Sequence, residues 1–176
     1  MSKLFSALTP QLHEFIAQQK MFFVATTGNK TKINLSPKGL DTLRIIDDNN
    51  LVWLNLTGSG NETAAHLLED SRMTIMFCSF DENPLILRLY GHAKALAVEE
   101  NNKLYAMFDK FVGARQLFAM KIESVQSSCG YSVPKYKFIE QRQTLIDWSN
   151  KKGKNGIKKY QQDNNMTSLD NKPTGL

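Results

Sequence analysis

Histidine and cysteine are scarce in this chain of 176 residues, at three and two copies. Cys78 and Cys129 are too few for a disulfide framework, and Cys78 sits in the apolar run Met76-Phe77-Cys78 as a buried thiol. His13, His66 and His92 are scattered without ligand spacing, so no metal site is expected. No apolar run reaches the ~18 residues that cross a bilayer. The opening Met1-Ser2-Lys3-Leu4-Phe5-Ser6 lacks the sustained apolar core of a secretion signal. No internal repeat is visible, and no Ser-His-Asp or Cys-His arrangement is legible from residue order. These absences leave a cytoplasmic, globular chain of one domain, long enough to bury a core.

Net positive charge is also scarce outside the C-terminus. The formal net charge is +5. Residues 151–176 hold six Lys and two Asp, while the other 150 residues are almost balanced, with 16 basic and 15 acidic groups. A basic balance confined to one end reads as a solvated tail, so neither nucleic acid nor a membrane surface is expected as a partner. From Lys151 onward Gly, Lys, Asn, Gln and Asp dominate, and the segment is expected to be poorly ordered.

What is present is a series of short strand signals. Pro10 to Gln19 has helical spacing at Leu12, Phe15 and Ile16, with Thr9 as N-cap and Pro10 in the first turn. Met21 to Thr27 and Lys32 to Leu35 read as a hairpin around Gly28-Asn29, after which Ser36-Pro37-Lys38-Gly39 breaks the sheet. Thr42 to Ile46 and Leu51 to Leu56 are strands joined by a turn of Asp and Asn. Asn61 to Leu68 is a short helix, and Arg72 to Phe77 a strand. Leu85 to Val98 is a long strand with a bend or bulge at Gly91. Glu99 to Phe108 is a helix, Phe118 to Gln126 a strand with a slip near Ser124, and Glu140 to Asn150 a helix. Sequential strands with isolated helices predict an α+β fold with an antiparallel sheet.

The turn Gly58-Ser59-Gly60-Asn61-Glu62-Thr63 lies between a strand and a helix start. Its backbone N–H groups and the helix dipole suit a phosphate. Ser59 and Glu62 have the spacing of a capping box, which by itself requires no ligand. The turn lacks the Gly-Lys-Ser/Thr ending of a Walker loop. It approaches the dinucleotide pattern GxGxxG, but the third glycine position is Thr63, so a nicotinamide-binding β-α-β unit is the lesser alternative. Glu62 would repel an anion, and the compensating cation is expected from Lys38, Arg44 or Arg88. The segment Ser36-Pro37-Lys38-Gly39, with Thr42, is either an ordinary turn or a backbone laid against a flat ring. Arg88, in the apolar run Leu87 to Tyr90, needs a partner if it is buried.

The ordered set Phe22-Phe23-Val24-Ala25-Thr26, Asn34 to Gly39, Asp41-Thr42, Gly58 to Thr63, His66, Met76-Phe77, Pro84, Arg88 and Tyr90-Gly91 resembles the pyridoxamine 5′-phosphate oxidase-like flavoproteins. Ser128-Cys129-Gly130-Tyr131-Ser132-Val133-Pro134 and Arg142 extend the resemblance to a subgroup of small members. The resemblance implies a split β-barrel with peripheral helices over residues 1–150, forming a homodimer with FMN at the interface. It implies that Ser59, Gly60, Asn61 and Thr63 hold the FMN phosphate. Ser36, Pro37, Lys38, Gly39 and Thr42 would line the ring, with Lys38, Arg44 and Arg88 as charge donors. It further implies an oxidoreductase taking electrons from a nicotinamide, or else a flavin-binding protein without turnover. The true oxidase carries an Arg-Lys pair in its phosphate turn and basic groups at its end. This turn has no cation, which implies a substrate other than pyridoxamine phosphate.

Overall fold

The computed structural model describes residues 2–176. Eight strands form one sheet: β1 (Lys3–Phe5), β2 (Phe22–Thr26), β3 (Asn34–Lys38), β4 (Leu43–Asp47), β5 (Asn50–Leu56), β6 (Arg72–Cys78), β7 (Ile86–Ala97) and β8 (Ala114–Ser128). Four helices accompany them: α1 (Pro10–Gln18), α2 (Glu62–Leu67), α3 (Asn102–Tyr105) and α4 (Thr144–Asn164). The strand order is β3-β2-β6-β7-β8-β5-β4, and the strand pairings are antiparallel. β8 is the hub. β7 runs along one edge of it, while β5 and then β1 share the other.

β5 explains why its sequence shows no alternation. Leu51 and Trp53 face a large core with Phe22, Phe77 and Phe118, while Val52 and Leu54 face a second core with Val98, Phe108 and Leu117. A strand buried on both faces reads as a continuous apolar run. Each such side chain contributes about 1.5–3 kcal/mol by leaving water.

The bulge expected in the long strands is present. The register slips between Tyr90 and Gly91, so that Glu123 of β8 is the extra residue, next to the slip expected at Ser124. A Cβ on Gly91 would lie 2.0 Å from the Lys121 carbonyl oxygen, so the close approach of β7 and β8 requires glycine there.

Four expectations need correction. Ser36-Pro37-Lys38 does not break the sheet but completes β3, paired with β2 as far as Phe22↔Lys38. β3 is an edge strand, so Pro37 removes no ladder bond on its open side. The short strand β1 was not anticipated. The helix expected from Glu99 to Phe108 shrinks to the single turn α3. The segment after Lys151 is not loose, because α4 continues to Asn164 across a break at Gly153 (φ 65°, ψ 173°). Residues 165–176 then fold back on themselves, with a bridge between Thr167 and Pro173. Ile157 and Thr174 are buried. Among the described residues no helix is long and apolar enough to cross a membrane.

The nicotinamide alternative fails on topology. A dinucleotide turn joins parallel neighbouring strands. Here β5 and β6, which flank the Gly-Ser-Gly turn, are separated by β8 and β7.

Candidate functional site

A cavity of about 800 Å³ opens between the sheet and the C-terminal third of the chain. β5 and the residues after it supply the floor, from Trp53 to Leu56 and then Gly58. The end of β3 and the following loop supply one wall, with Pro37, Lys38, Gly39 and Thr42. The opposite wall comes from the loop Phe138 to Arg142 and from Leu145 and Trp148 of α4. Gln141 joins the walls: its Oε1 accepts from the Leu40 N–H at 3.1 Å, and its Nε2 donates to the Lys20 carbonyl at 2.9 Å. Leu40 is held at φ 61°, a left-handed conformation that costs a non-glycine residue about 1–2 kcal/mol.

The floor fixes the electrostatics of the cavity. Trp53 stacks on Phe118 with ring centroids 4.8 Å apart, and the Lys38 Nζ lies 5.1 Å from the Trp53 ring centre. Burial pulls Lys38 down from its ordinary value to about 8, with a smaller push from the charge of Arg115. Thr42 is buried, and its hydroxyl donates to the Gly39 carbonyl at 3.0 Å, which fixes the loop beneath Lys38. The Ser36 hydroxyl is buried without a hydrogen-bond partner.

The Gly-Ser-Gly turn differs from expectation in how it is capped. Asn61, not Ser59, is the N-cap of α2, and no side chain caps the helix. The Glu62 carboxylate instead accepts the Leu169 N–H, at 3.1 Å from each oxygen. There is no capping box, because the folded-back C-terminus offers Glu62 a donor that sequence spacing does not show. With only six residues α2 has a weak dipole. Ser59 and Gly60 are exposed, whereas Asn61 and Thr63 are buried below them. Thr63 Oγ1 accepts from Asn34 Nδ2 at 3.3 Å, and the buried Asn61 amide lies 3.3 Å from that of Asn55.

The cation missing from the turn is supplied by a residue the sequence reading passed over. Arg115 of β8 is 8% exposed, and its Nη2 donates to the Gly60 carbonyl at 3.0 Å. Among the described residues it has no carboxylate partner. Burial pulls its pKa down to about 10, which leaves it charged at neutral pH. Arg115 is followed by a second polar residue, Gln116, ahead of the apolar run Leu117 to Met120, so it lacks the apolar flanks that drew attention to Arg88.

Two of the expected charge donors lie elsewhere in the chain. Arg44 is paired bidentately with Asp41, at 2.5 and 2.7 Å, and stacks over Phe108. Arg88 donates to the Ser128 hydroxyl at 3.2 Å, in the middle of the sheet. The fold therefore gathers Pro37, Lys38, Gly39 and Thr42 around the cavity, next to the turn, and leaves Arg44 and Arg88 outside it. It adds Trp53, Asn55, Trp148 and the loop around Gln141.

Comparison with known proteins agrees with this architecture. Residues 8–129 match the family model described as pyridoxamine 5′-phosphate oxidase. The chain is 37% identical over 139 residues to the pyridoxamine 5′-phosphate oxidase family protein ustO of Aspergillus flavus, covering 74% of this chain and 55% of that protein. It thus spans about half the length of the curated relative it matches. Among solved structures, HupZ of Group A Streptococcus superposes with a TM-score of 0.54 at 20% identity, over 67% of this chain and 91% of HupZ. A Clostridium acetobutylicum protein related to general stress protein 26, of the pyridoxinephosphate oxidase family, gives a TM-score of 0.52 at 15% identity. That match covers 68% of this chain and 86% of the Clostridium protein. At these identities the structures speak for the α+β split-barrel fold, and the family match covers the strands that build the cavity floor. The chain belongs to the pyridoxamine 5′-phosphate oxidase family.

Proposed function

We propose that the cavity binds FMN and that the protein is an FMN-dependent oxidoreductase. The observation that carries the reading is Arg115, a buried guanidinium held against the Gly-Ser-Gly turn with no carboxylate among the described residues to neutralise it. A buried charge is costly unless paired, and a phosphate held at the turn would supply the opposite charge. The other groups fit the same ligand. Thr63 is buried beside the turn, and the cavity has the size and mixed lining of a cofactor site.

In this reading Arg115, Asn61 and Thr63, with the Ser59 and Gly60 backbone, hold the phosphate. Ser36 to Gly39 and Thr42 lie along the ring, and Lys38 places a positive charge beside it. Phe138, Leu145 and Trp148 exclude water from the opposite side. FMN, when bound, supplies hydride and single-electron transfer; the protein supplies position and electrostatics. A nicotinamide is the proposed reductant, and the acceptor is a small molecule that enters beside the Gln141 wall. The active form is proposed to be a homodimer, a reading supported by the exposed Ile33 beside β3 and Leu35 on that edge strand.

The purified protein is expected to be yellow, or to become so on titration with FMN, and to run as a dimer in light scattering. Arg115→Met should weaken FMN retention at least about tenfold, the scale of one charge-assisted hydrogen bond, whereas Arg44→Ala should leave it within about twofold. A protein that takes up no FMN would sink the reading. Mixing the loaded protein with NADH or NADPH tests turnover: bleaching of the flavin supports an oxidoreductase, and lasting colour leaves binding as the function.

A further inference from the structure

We propose that Asn165, in the folded-back C-terminus, is a positioning residue that presents Arg115 to an anion as an unneutralised charge. The inference rests on the flavin reading for its ligand but concerns a segment outside the family match, which ends at residue 129.

Asn165 is completely buried and uses both ends of its amide. Its Oδ1 accepts from Arg115 Nη1 at 2.6 Å, and its Nδ2 donates to the Gly58 carbonyl at 3.1 Å. Chemistry sets that orientation, because arginine only donates and a carbonyl only accepts. The backbone of Asn165 is fixed in turn. Its N–H donates to the Gln161 carbonyl at 2.8 Å, and its carbonyl accepts from the Thr174 hydroxyl at 2.6 Å.

The remaining neighbours of Arg115 have the same character. Asn55, with its amide oxygen turned toward the guanidinium, accepts from Nη2 at 2.9 Å and from Nε at 3.3 Å, and the Gly60 carbonyl accepts from Nη2. Each partner is a neutral oxygen. Such a set holds the guanidinium in place and leaves its charge available. An aspartate at position 165 would differ by one atom, would neutralise that charge, and would face the Gly58 carbonyl with a second acceptor. The same segment deals with the one acidic group in the turn, since the Leu169 N–H engages the Glu62 carboxylate. The C-terminus therefore acts on the turn twice: it aims the cation and occupies the anion.

The test uses the full chain and compares FMN, riboflavin and inorganic phosphate. Riboflavin has the ring without the phosphate. Asn165→Asp is expected to lower FMN affinity at least about tenfold, to leave riboflavin affinity within about twofold, and to abolish thermal stabilisation by inorganic phosphate. Asn165→Asp in an Arg115→Met background should add no further loss of FMN affinity. Unchanged FMN affinity in Asn165→Asp overturns the proposal while leaving the flavin reading intact. Equal losses for FMN and riboflavin overturn it too, since a merely structural role moves both. Should wild type bind phosphate, lose it in Asn165→Asp, and bind neither flavin, the positioning role stands and the flavin reading fails. A wild type that binds none of the three overturns both. If Asn165→Asp does not fold, Asn165→Ala carries the same comparison, with about a threefold loss expected for FMN alone.

Discussion

Trp148 and Tyr160 meet edge to face, with ring centroids 5.0 Å apart, although twelve positions separate them in one long helical segment. In a straight helix that separation is about 18 Å. Gly153 closes the distance, because its φ of 65° and ψ of 173° turn the second half of α4 back on the first. Lys152 lies over both rings, 5.3 and 5.5 Å from their centres.

The first prediction concerns that turn. Gly153→Ala meets no atom within 4 Å, so its cost is conformational rather than steric. A side chain in this glycine-only region should lower stability by about 1–3 kcal/mol. Urea unfolding followed by tryptophan fluorescence reads it, with Trp148 as the reporter. A variant as stable as wild type would mean that α4 tolerates a straighter path.

Much of the scaffold could be read in advance. β2, β5, β6 and β7 were found within a residue or two, because apolar runs bounded by Gly, Pro, Asn or Asp leave little choice. The loop from Pro37 to Thr42, which walls the cavity, was also legible as a distinct segment, since Pro37 and Gly39 mark it locally. Arg115 was not, because what makes it informative is the Gly60 carbonyl, 55 residues away in the chain. The C-terminus was misread for a related reason. Its order comes from single polar bonds to distant groups, such as Gln161 to Thr57, Leu169 to Glu62 and Lys172 to Glu69, and hydrophobic periodicity carries no trace of these.

A second prediction follows from Lys38. Its pKa is about 8 in the folded protein and 10.5 when unfolded, so between those values the unfolded chain holds more protons. Stability of the ligand-free protein therefore rises with pH across that window, and below about 8 the cost of the buried charge is present in full. Lys38→Met should be the more stable protein at pH 7, with the gap to wild type closing as the pH approaches 10.5. Denaturant midpoints at several pH values measure the gap; one that stays constant would remove the assignment.

Gly91→Ala should be far more damaging than Gly153→Ala. Its Cβ would collide with the backbone at Lys121, which cannot move aside as a side chain can. A loss of about 3 kcal/mol or more is expected, as for a strongly overpacked site. Soluble yield and thermal midpoint provide the check. A near-normal midpoint would show that the bulge at Glu123 can absorb the shift.

Phe118→Ala tests whether the cavity floor is a separate plate or part of the core. Phe118 is 1% exposed and supports Trp53 from below. The deletion should cost about 3–5 kcal/mol and also loosen Trp53 beneath Lys38. Ligand affinity and stability should therefore fall together. A large stability loss with ligand affinity intact would separate the two.

The latch at Gln141 has a consequence for how such a cavity can diversify. One face of it is sheet, with its register fixed by ladder bonds along β5 and β8. The other face is a loop held by fewer bonds: the Gln141 amide ties it to Lys20 and Leu40, and the Tyr136 N–H donates to the Phe80 carbonyl at 3.0 Å. Insertions or exchanges between residues 129 and 143 can reshape the entrance without shifting a strand. The residues that shape the entrance and those that fix the sheet thus lie in different stretches of the chain, so the cavity can change while the barrel stays constant.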